Sequence, residues 1–444
     1  MKVTGIIAEY NPFHNGHLHH MQMARRQSGC DYIIAVMSPD FVQRGIPAFL
    51  DKWVRARMAL DAGADLVLEL PIRHAAGSAE YFAKGGVSLL SSLGVVDALS
   101  FGCETGRIES LMEYARFLSK EEPEPYKALL QRFLKEGASF ARARYLAWLT
   151  FSGTQDPHGL LHSPNDILAI EYLRAIFQMK SPLQPIPILR SGAGYHDLQL
   201  TPAAPRLSGL NPSGASLPED ASGVQKIAPD MAEDTHPALF SSPVPDYASA
   251  AGIRHALSLG LDVSSQMPPA AFRLLSGELS QNRYLMPSDL DLPLHLKLYE
   301  KKASLTDYLD VSEDLARRIT HLLPRYTGFE QFTTLLKTKQ VTRTRVQRAL
   351  LHILLGMKAP SGHPDSRIPD YARVLGFRRA ALPLLHEIKK HSAIPLITRL
   401  PAEKQAPHGL KEDLDAVCLW EVLVSKKTGA PVRNERQRQM IILP

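Results

Sequence analysis

The sequence predicts an α/β protein, with a parallel sheet faced by helices and a mainly helical C-terminal half. Three observations carry this. Short apolar runs alternate with amphipathic segments through roughly the first hundred residues. Capping and stop residues fall where each run changes period. Beyond about residue 263 the helical period prevails.

Residues 3–8 (VTGIIA) form a short apolar run, bounded by the Asn11-Pro12 turn, and read as a buried strand. Residues 17–26 (HLHHMQMARR) suit a helix ending near Gly29, and residues 32–37 (YIIAVM) a second strand. Asp51 caps a helix running through Ala62, with Trp53, Val54, Met58 and Leu60 as apolar contacts and Gly63 as its stop. Residues 65–70 (DLVLEL) are a third strand, closed by Pro71. A helix over 79–90 and a strand over 97–101 follow. This rhythm implies a parallel sheet, and ligands then belong at the carboxyl ends of its strands.

Residues 107–180 read as mainly helical apart from a loop over 151–164, and residues 182–190 return a strand to the sheet. Over 201–245 Pro, Ser, Ala and Gly dominate and periodicity is lost, as in a flexible surface insertion. The expected organisation is therefore a core over 1–200, the insertion over 201–245, a return segment over 246–262, and a mainly helical region over 263–444. Its clearest helices are 317–323, 329–337 and 343–355.

With 444 residues, 45% of them hydrophobic, the chain can bury a full core and more than one domain. A net charge of +6 and a pI near 9.0 favour an anionic partner, and the excess is modest enough to allow nucleic acid without demanding it. Cys30, Cys103 and Cys418 are far apart and read as three buried small hydrophobes. The apolar start breaks too soon for a signal peptide and carries Glu9 at its end. No run reaches the length of a membrane span, so the expectation is a soluble, cytoplasmic protein.

The sharpest chemical signal is His14-Asn15-Gly16-His17, directly after the first strand and opening a helix. A helix N-terminus offers unpaired N–H groups and a positive dipole end, which suit phosphate. His14 and His17, three apart, can point to one side of it, and Gly16 leaves room for a ligand to approach the backbone. Donors there would stabilise charge on an α-phosphate and a leaving pyrophosphate during in-line displacement. In isolation the string reads as two exposed histidines in a loop; its place in a βαβ unit favours the functional reading.

This signal resembles the HxGH signature of the HIGH nucleotidyltransferase superfamily. The longer EYNPFHNGH, with Gln43-Arg44-Gly45 and DKWVRARMAL downstream, is similar to the bacterial tRNA(Met) cytidine acetate ligases. Ser163-Pro164-Asn165, Gly192-Ala193-Gly194-Tyr195-His196-Asp197 and KTKQVTRTRVQRALLHILLG add to the match. The resemblance implies a Rossmann-like nucleotidyltransferase core that forms acetyl-adenylate from ATP and acetate. It then implies transfer of the acetyl group to the exocyclic amine of the wobble cytidine of elongator tRNA(Met). By the same carry-over, Ile7, Ala8, Glu9, Tyr10, Asn11, Pro12, Phe13, His14, Asn15, Gly16, His17, Leu18, His19 and His20 would hold ATP. Gly102, Asn165 and Arg190 would join them, with His14 and His17 in the catalytic role.

Each of the last three also has a plain reading: a turn glycine, a cap for the helix near Ile167, a surface arginine. Residues 249–254 (SAAGIR) loosely resemble the second superfamily signature, leaving Arg254 either a triphosphate contact or a member of a surface pair. Pro39, Asp166 and Leu189 stand where the family pattern has glycine, asparagine and lysine.

No acidic residue occurs from Gln331 to Lys358, while Lys337, Lys339, Arg343, Arg345 and Arg348 are basic. This stretch is the candidate RNA surface; the plain alternative is a solvated helix face. Tyr326, Phe329 and Phe332 nearby read as core, and the basic tail at Arg433, Arg436 and Arg438 is unassigned. There is no P-loop, no G-x-S-x-G elbow and no convincing metal-ligand spacing, so magnesium is expected only with ATP. Two rival readings share the fold: a small-molecule adenylyltransferase of cofactor biosynthesis, and a non-catalytic RNA-binding protein. Oligomeric state is not legible.

Overall fold

The computed structural model describes residues 1–154, 163–190, 247–359 and 368–444. The 192–197 motif and the 201–245 insertion lie outside the described residues.

The N-terminal half runs β1 (Val3–Ala8), α1 (Asn15–Ser28), β2 (Tyr32–Met37), β3 (Phe41–Val42), β4 (Ile46–Pro47), α2 (Lys52–Asp61) and β5 (Leu66–Glu69). Then come α3 (Ile72–Ala75), α4 (Ala79–Ser92), β6 (Ala98–Cys103), α5 (Ile108–Leu118), α6 (Glu124–Lys135), α7 (Phe140–Ser152), α8 (Pro164–Met179) and β7 (Gln184–Leu189). β1 pairs in parallel with β2 on one side and β6 on the other. The chain therefore moves outward from β1 through β2 and β5, then crosses back to β6 and β7. That reversal creates a crevice at the carboxyl ends of β1 and β6, where ligands of open α/β sheets sit.

Both sheet faces are buried, which explains the unbroken apolar runs. Val3, Ile7, Ile34 and Val36 join one core, while Ile6, Ile33, Ala35 and Met37 join the other. The two-residue strands β3 and β4 form a hairpin that plants Phe41, Val42 and Ile46 in a third core, made by the helical region.

That region contains α9 (Ala250–Ser258), α10 (Pro269–Ser280), α11 (Asp291–Lys301), α12 (Glu313–Leu322), α13 (Phe329–Leu336) and α14 (Arg343–Leu355). Tyr326, Phe329 and Phe332 are core residues there, as their spacing predicts. Helices do not fill the rest. β8 (Ala372–Arg378), α15 (Leu382–His391), β9 (Leu396–Ile397), α16 (His408–Thr428) and β10 (Ile441–Leu443) return to the sheet. β8 is antiparallel to β5, so an otherwise parallel sheet is mixed at this edge.

A buried ion cluster fastens the tail. Lys52 Nζ lies 2.5 Å from Glu69 and 2.9 Å from Glu435. Arg373 contacts the same two carboxylates at 3.0 and 2.7 Å. Removing one partner would leave an uncompensated buried charge, so the cluster holds as a unit. The basic tail has a structural role: Arg438 pairs with Asp51 and Glu421, Arg433 lies near Asp51, and Arg436 donates to the Pro401 carbonyl. Cys30 and Cys103 are buried, but Cys418 is exposed on α16, contrary to expectation. Among the described residues no helix is long and apolar enough to cross a membrane.

Candidate active site

The loop after β1 is shaped by its own side chains. Tyr10 takes a left-handed backbone conformation, φ 48°, and packs its ring against Phe13 and His17. His14 is the N-cap of α1. Its Nδ1 accepts the Gly16 N–H at 3.1 Å, and His17 Nδ1 accepts the His14 N–H at 3.2 Å. This is a capping box built from two imidazoles, whose rings lie 3.7 Å apart.

The box fixes the tautomers. A ring nitrogen that accepts a backbone N–H carries no proton, so a neutral imidazole must carry it on Nε2. Burial, then the positive Arg190 and Arg254, lower His14 from its ordinary 6.5 to about 3. Burial, then His14 and Arg190, push His17 well below its ordinary value, and burial lowers His20 to about 4. His14 and His17 are thus neutral Nε2–H donors. Gly16 serves this box: a Cβ there would lie 2.9 Å from His14 Cε1. Its bareness accommodates the His14 ring at the edge of the cavity. The Gly16 N–H is likewise already used within the box, while the imidazole Nε2–H groups remain as donors.

Neighbouring elements brace the loop. Asn11 Oδ1 accepts the Phe49 N–H at 2.8 Å, and Arg254 donates to the Asn11 carbonyl. Arg254 therefore supports the loop from α9, a role the sequence reading did not name. Arg55, fully buried on α2, donates to the carbonyls of Glu9, Ser38, Pro39 and Leu50. The Pro39 carbonyl is thus part of this brace.

One cavity lies over the switch point. Ile7, Ala8, Glu9, Tyr10, Asn11, His14, Gly16, His17, His19 and His20 line it from β1 and α1. Gly102 at the end of β6, Asn165 at the start of α8 and Arg190 after β7 complete the predicted set. Four predicted residues do not line it. Phe13 is fully buried, Pro12 is buried at the cis Asn11-Pro12 bond, and Leu18 packs on the same core as Phe13. Asn15 turns away to donate to the Ser265 carbonyl at 2.9 Å.

Gly102 leaves room for Arg190, whose Cγ and Cδ would stand 3.4 Å from a Cβ. Among the described residues Arg190 has no acidic partner. Asn165 Nδ2 donates to Glu104 Oε1 at 2.5 Å; a carboxylate can only accept, so the Asn165 carbonyl oxygen is left for a ligand. Asp166, beside it, is buried and faces away from the cavity, accepting from the Glu104 N–H at 2.9 Å and from Ser163 Oγ at 3.0 Å. Gln43, Phe82, Phe101, Leu168, Tyr172, Ile188, Leu189, Tyr247, Ser249 and Ala250 also line the cavity. Of these, Gln43, Ser249 and Ala250 carried a sequence signal through their motifs, and Leu189 stood out as a departure from the family pattern. Leu189 is largely exposed and gives the mouth an apolar edge.

The basic stretch divides. Lys337, Lys339, Arg343 and Arg345 are exposed, whereas Arg348 is partly buried and pairs with Asp310 at 3.5 Å. Arg343 also meets Glu330 at 3.2 Å. The acids missing from the linear run are supplied from outside it.

A switch-point cavity with two neutral histidine donors at a helix N-terminus and an arginine opposite defines a nucleotide-binding α/β enzyme acting at phosphates. The profile of the family described as HIGH Nucleotidyl Transferase matches residues 1–208 and 232–435. A tRNA(Met) cytidine acetate ligase of Thermoanaerobacter sp. (strain X514) is 35% identical, covering 91% of this chain and 90% of that protein. The ligase of Clostridium tetani is 33% identical, with 96% of each covered. Ligand-free TmcAL of Thermotoga maritima superposes with a TM-score of 0.82 at 27% identity over 100% of both chains. The same protein bound with alpha-thio ATP gives 0.79 at the same identity and full coverage of both chains. The chain belongs to the tRNA(Met) cytidine acetate ligase family of the HIGH nucleotidyl transferases.

Proposed function

We propose that this protein is an ATP-dependent ligase that activates acetate as acetyl-adenylate and acetylates N4 of the wobble cytidine of elongator tRNA(Met). The observation that carries the reading is the imidazole capping box, set in one cavity with Gly102, Asn165 and Arg190. An acetate oxygen attacks the α-phosphorus in line, and the bond to pyrophosphate breaks. Nε2–H of His14 and His17, with Arg190, stabilises the charge that grows on the phosphates. Because the donors are neutral and fixed, they need no reorganisation as charge develops. Cytidine N4 then attacks the acetyl carbon and AMP leaves.

Among the described residues no group of three His, Cys, Asp or Glu could hold a metal ion. Magnesium enters this reading as Mg·ATP. RNA contact is assigned to Lys337, Lys339, Arg343 and Arg345; Arg348 acts from beneath them through Asp310. A tRNA substrate supports action in the cytoplasm.

The test incubates purified protein with ATP, magnesium, labelled acetate and unmodified elongator tRNA(Met), and analyses the digested nucleosides. Acetylcytidine that needs both ATP and acetate is the expected result. AMP retained on a small product, with no label in RNA, would favour the cofactor-type adenylyltransferase instead.

A further inference from the structure

The proposed reaction, on which this inference rests, leaves its second step without a base. The lone pair of a cytosine exocyclic amine is delocalised into the ring, so N4 needs its proton removed as it attacks. His14 and His17 cannot take it, because Nδ1 of each accepts a backbone N–H and Nε2 already bears the proton. His20 Nε2 is engaged with Ser100 Oγ at 3.1 Å.

Glu9 is the one carboxylate among the described residues that line the cavity. It follows β1 directly, and its Oε1 accepts the Gln43 N–H at 3.0 Å, which orients the group and leaves Oε2 for a substrate. Gln43 lies in the turn of the β3–β4 hairpin. That turn is seated on α14: a Cβ on Gly45 would stand 2.4 Å from the Arg348 backbone nitrogen. Glu9 is therefore held between the nucleotide end of β1 and a hairpin resting on the helix that exposes Arg343 and Arg345. A base delivered by RNA bound at α14 would enter the cavity beside Glu9.

We infer that Glu9 is the general base of acetyl transfer. As N4 bonds to the acetyl carbon, the carbonyl electron pair moves to oxygen and the N4 proton passes to Glu9 Oε2. The intermediate collapses, the carbon–oxygen bond to AMP breaks with its pair on the phosphate oxygen, and Glu9 releases the proton to solvent. No further reactant is needed.

The experiment separates the two steps. Acetate-dependent ATP–pyrophosphate exchange reports activation, and single-turnover delivery of acetyl from enzyme-bound adenylate to tRNA reports transfer. Glu9→Gln keeps the amide oxygen that accepts from Gln43 but loses basicity. Transfer is expected to fall about 100- to 1000-fold more than exchange, a typical loss for a general base. Glu9→Asp should recover most of it. An equal fall in both steps would assign Glu9 to nucleotide binding and overturn the inference. So would transfer at the parental rate in Glu9→Gln, or the same selective loss in His19→Gln. Each of these leaves the proposed function standing, whereas absence of exchange in the parent protein would remove both.

Discussion

Replacing Arg55 with lysine should loosen the active-site loops without changing the charge. The guanidinium holds four carbonyls at once: Leu50 through Nε at 2.9 Å, Glu9 and Ser38 through Nη1 at 2.7 and 3.0 Å, and Pro39 through Nη2. An ammonium is a single point and cannot reach both sides of this fork, so about two carbonyls lose their donor. A buried orphaned polar group costs about 1–3 kcal/mol, which puts the substitution near 4 kcal/mol. Unfolding entropy is roughly 2.1 cal/mol/K per residue, so 444 residues give about 0.9 kcal/mol per kelvin. The melting temperature of Arg55→Lys should therefore fall by about 4 °C, read by circular dichroism at pH 7. KM for ATP should rise with it, because the Glu9 carbonyl belongs to the wall of the cavity. A variant that melts within 1 °C of the parent, with unchanged KM, would refute the bracing role.

Other predictions follow from the same geometry. His17→Ala removes one phosphate donor and half of the capping box; exchange should drop by about 100-fold or more while far-ultraviolet circular dichroism is kept. Exchange at the parental rate would sink the phosphate role. His14 is held neutral, lowered to about 3 by burial first. Its folded value lies below its unfolded 6.5, so the stability it contributes is present above pH 6.5 and is lost as pH falls towards the folded value. Between pH 7 and 5 that loss is about 2 kcal/mol. His14→Asn, which keeps a cap but not the titration, should melt near the parent at pH 7 and about 2 °C above it at pH 5. Each of Lys337→Ala, Lys339→Ala, Arg343→Ala and Arg345→Ala should lower the salt slope of tRNA binding by about 1 or less. Arg348→Ala should instead lower the melting temperature, since it takes from Asp310 its arginine partner.

What was legible in the sequence is what local chemistry decides. The strands of the first hundred residues follow from apolar runs ended by turn residues, and Asp51 caps its helix as read, with Oδ1 accepting the Val54 N–H at 2.7 Å. The HNGH segment announced the site because a strand, a cap and a helix start are contiguous there. The β3–β4 hairpin escaped because two-residue strands have no period to detect. β8 escaped too: its seven residues, buried along most of their length, look alike in a strand or a helix, and its partner β5 lies some three hundred residues earlier. Phe82, Tyr172 and Tyr247 line the cavity from positions that read as ordinary core or loop, since apolar walls carry no motif.

Charge was where linear reading failed most clearly, and the reason is general. A run without acids counts only neighbours along the chain, but a charge responds to neighbours within several ångströms. Asp310 and Glu330, one before α12 and the other on α13, reach Arg348 and Arg343, so a stretch that reads as five free cations presents fewer. Arg190 shows the converse. Alone in the sequence it reads as a surface residue at a strand end, yet it stands in a cavity beside histidines that its charge helps to keep neutral. An anion bound there would reverse that influence. The arginine that adds to burial in keeping His14 and His17 neutral would itself be neutralised by phosphates bound in this cavity, and nucleotide binding would then raise histidine basicity through it.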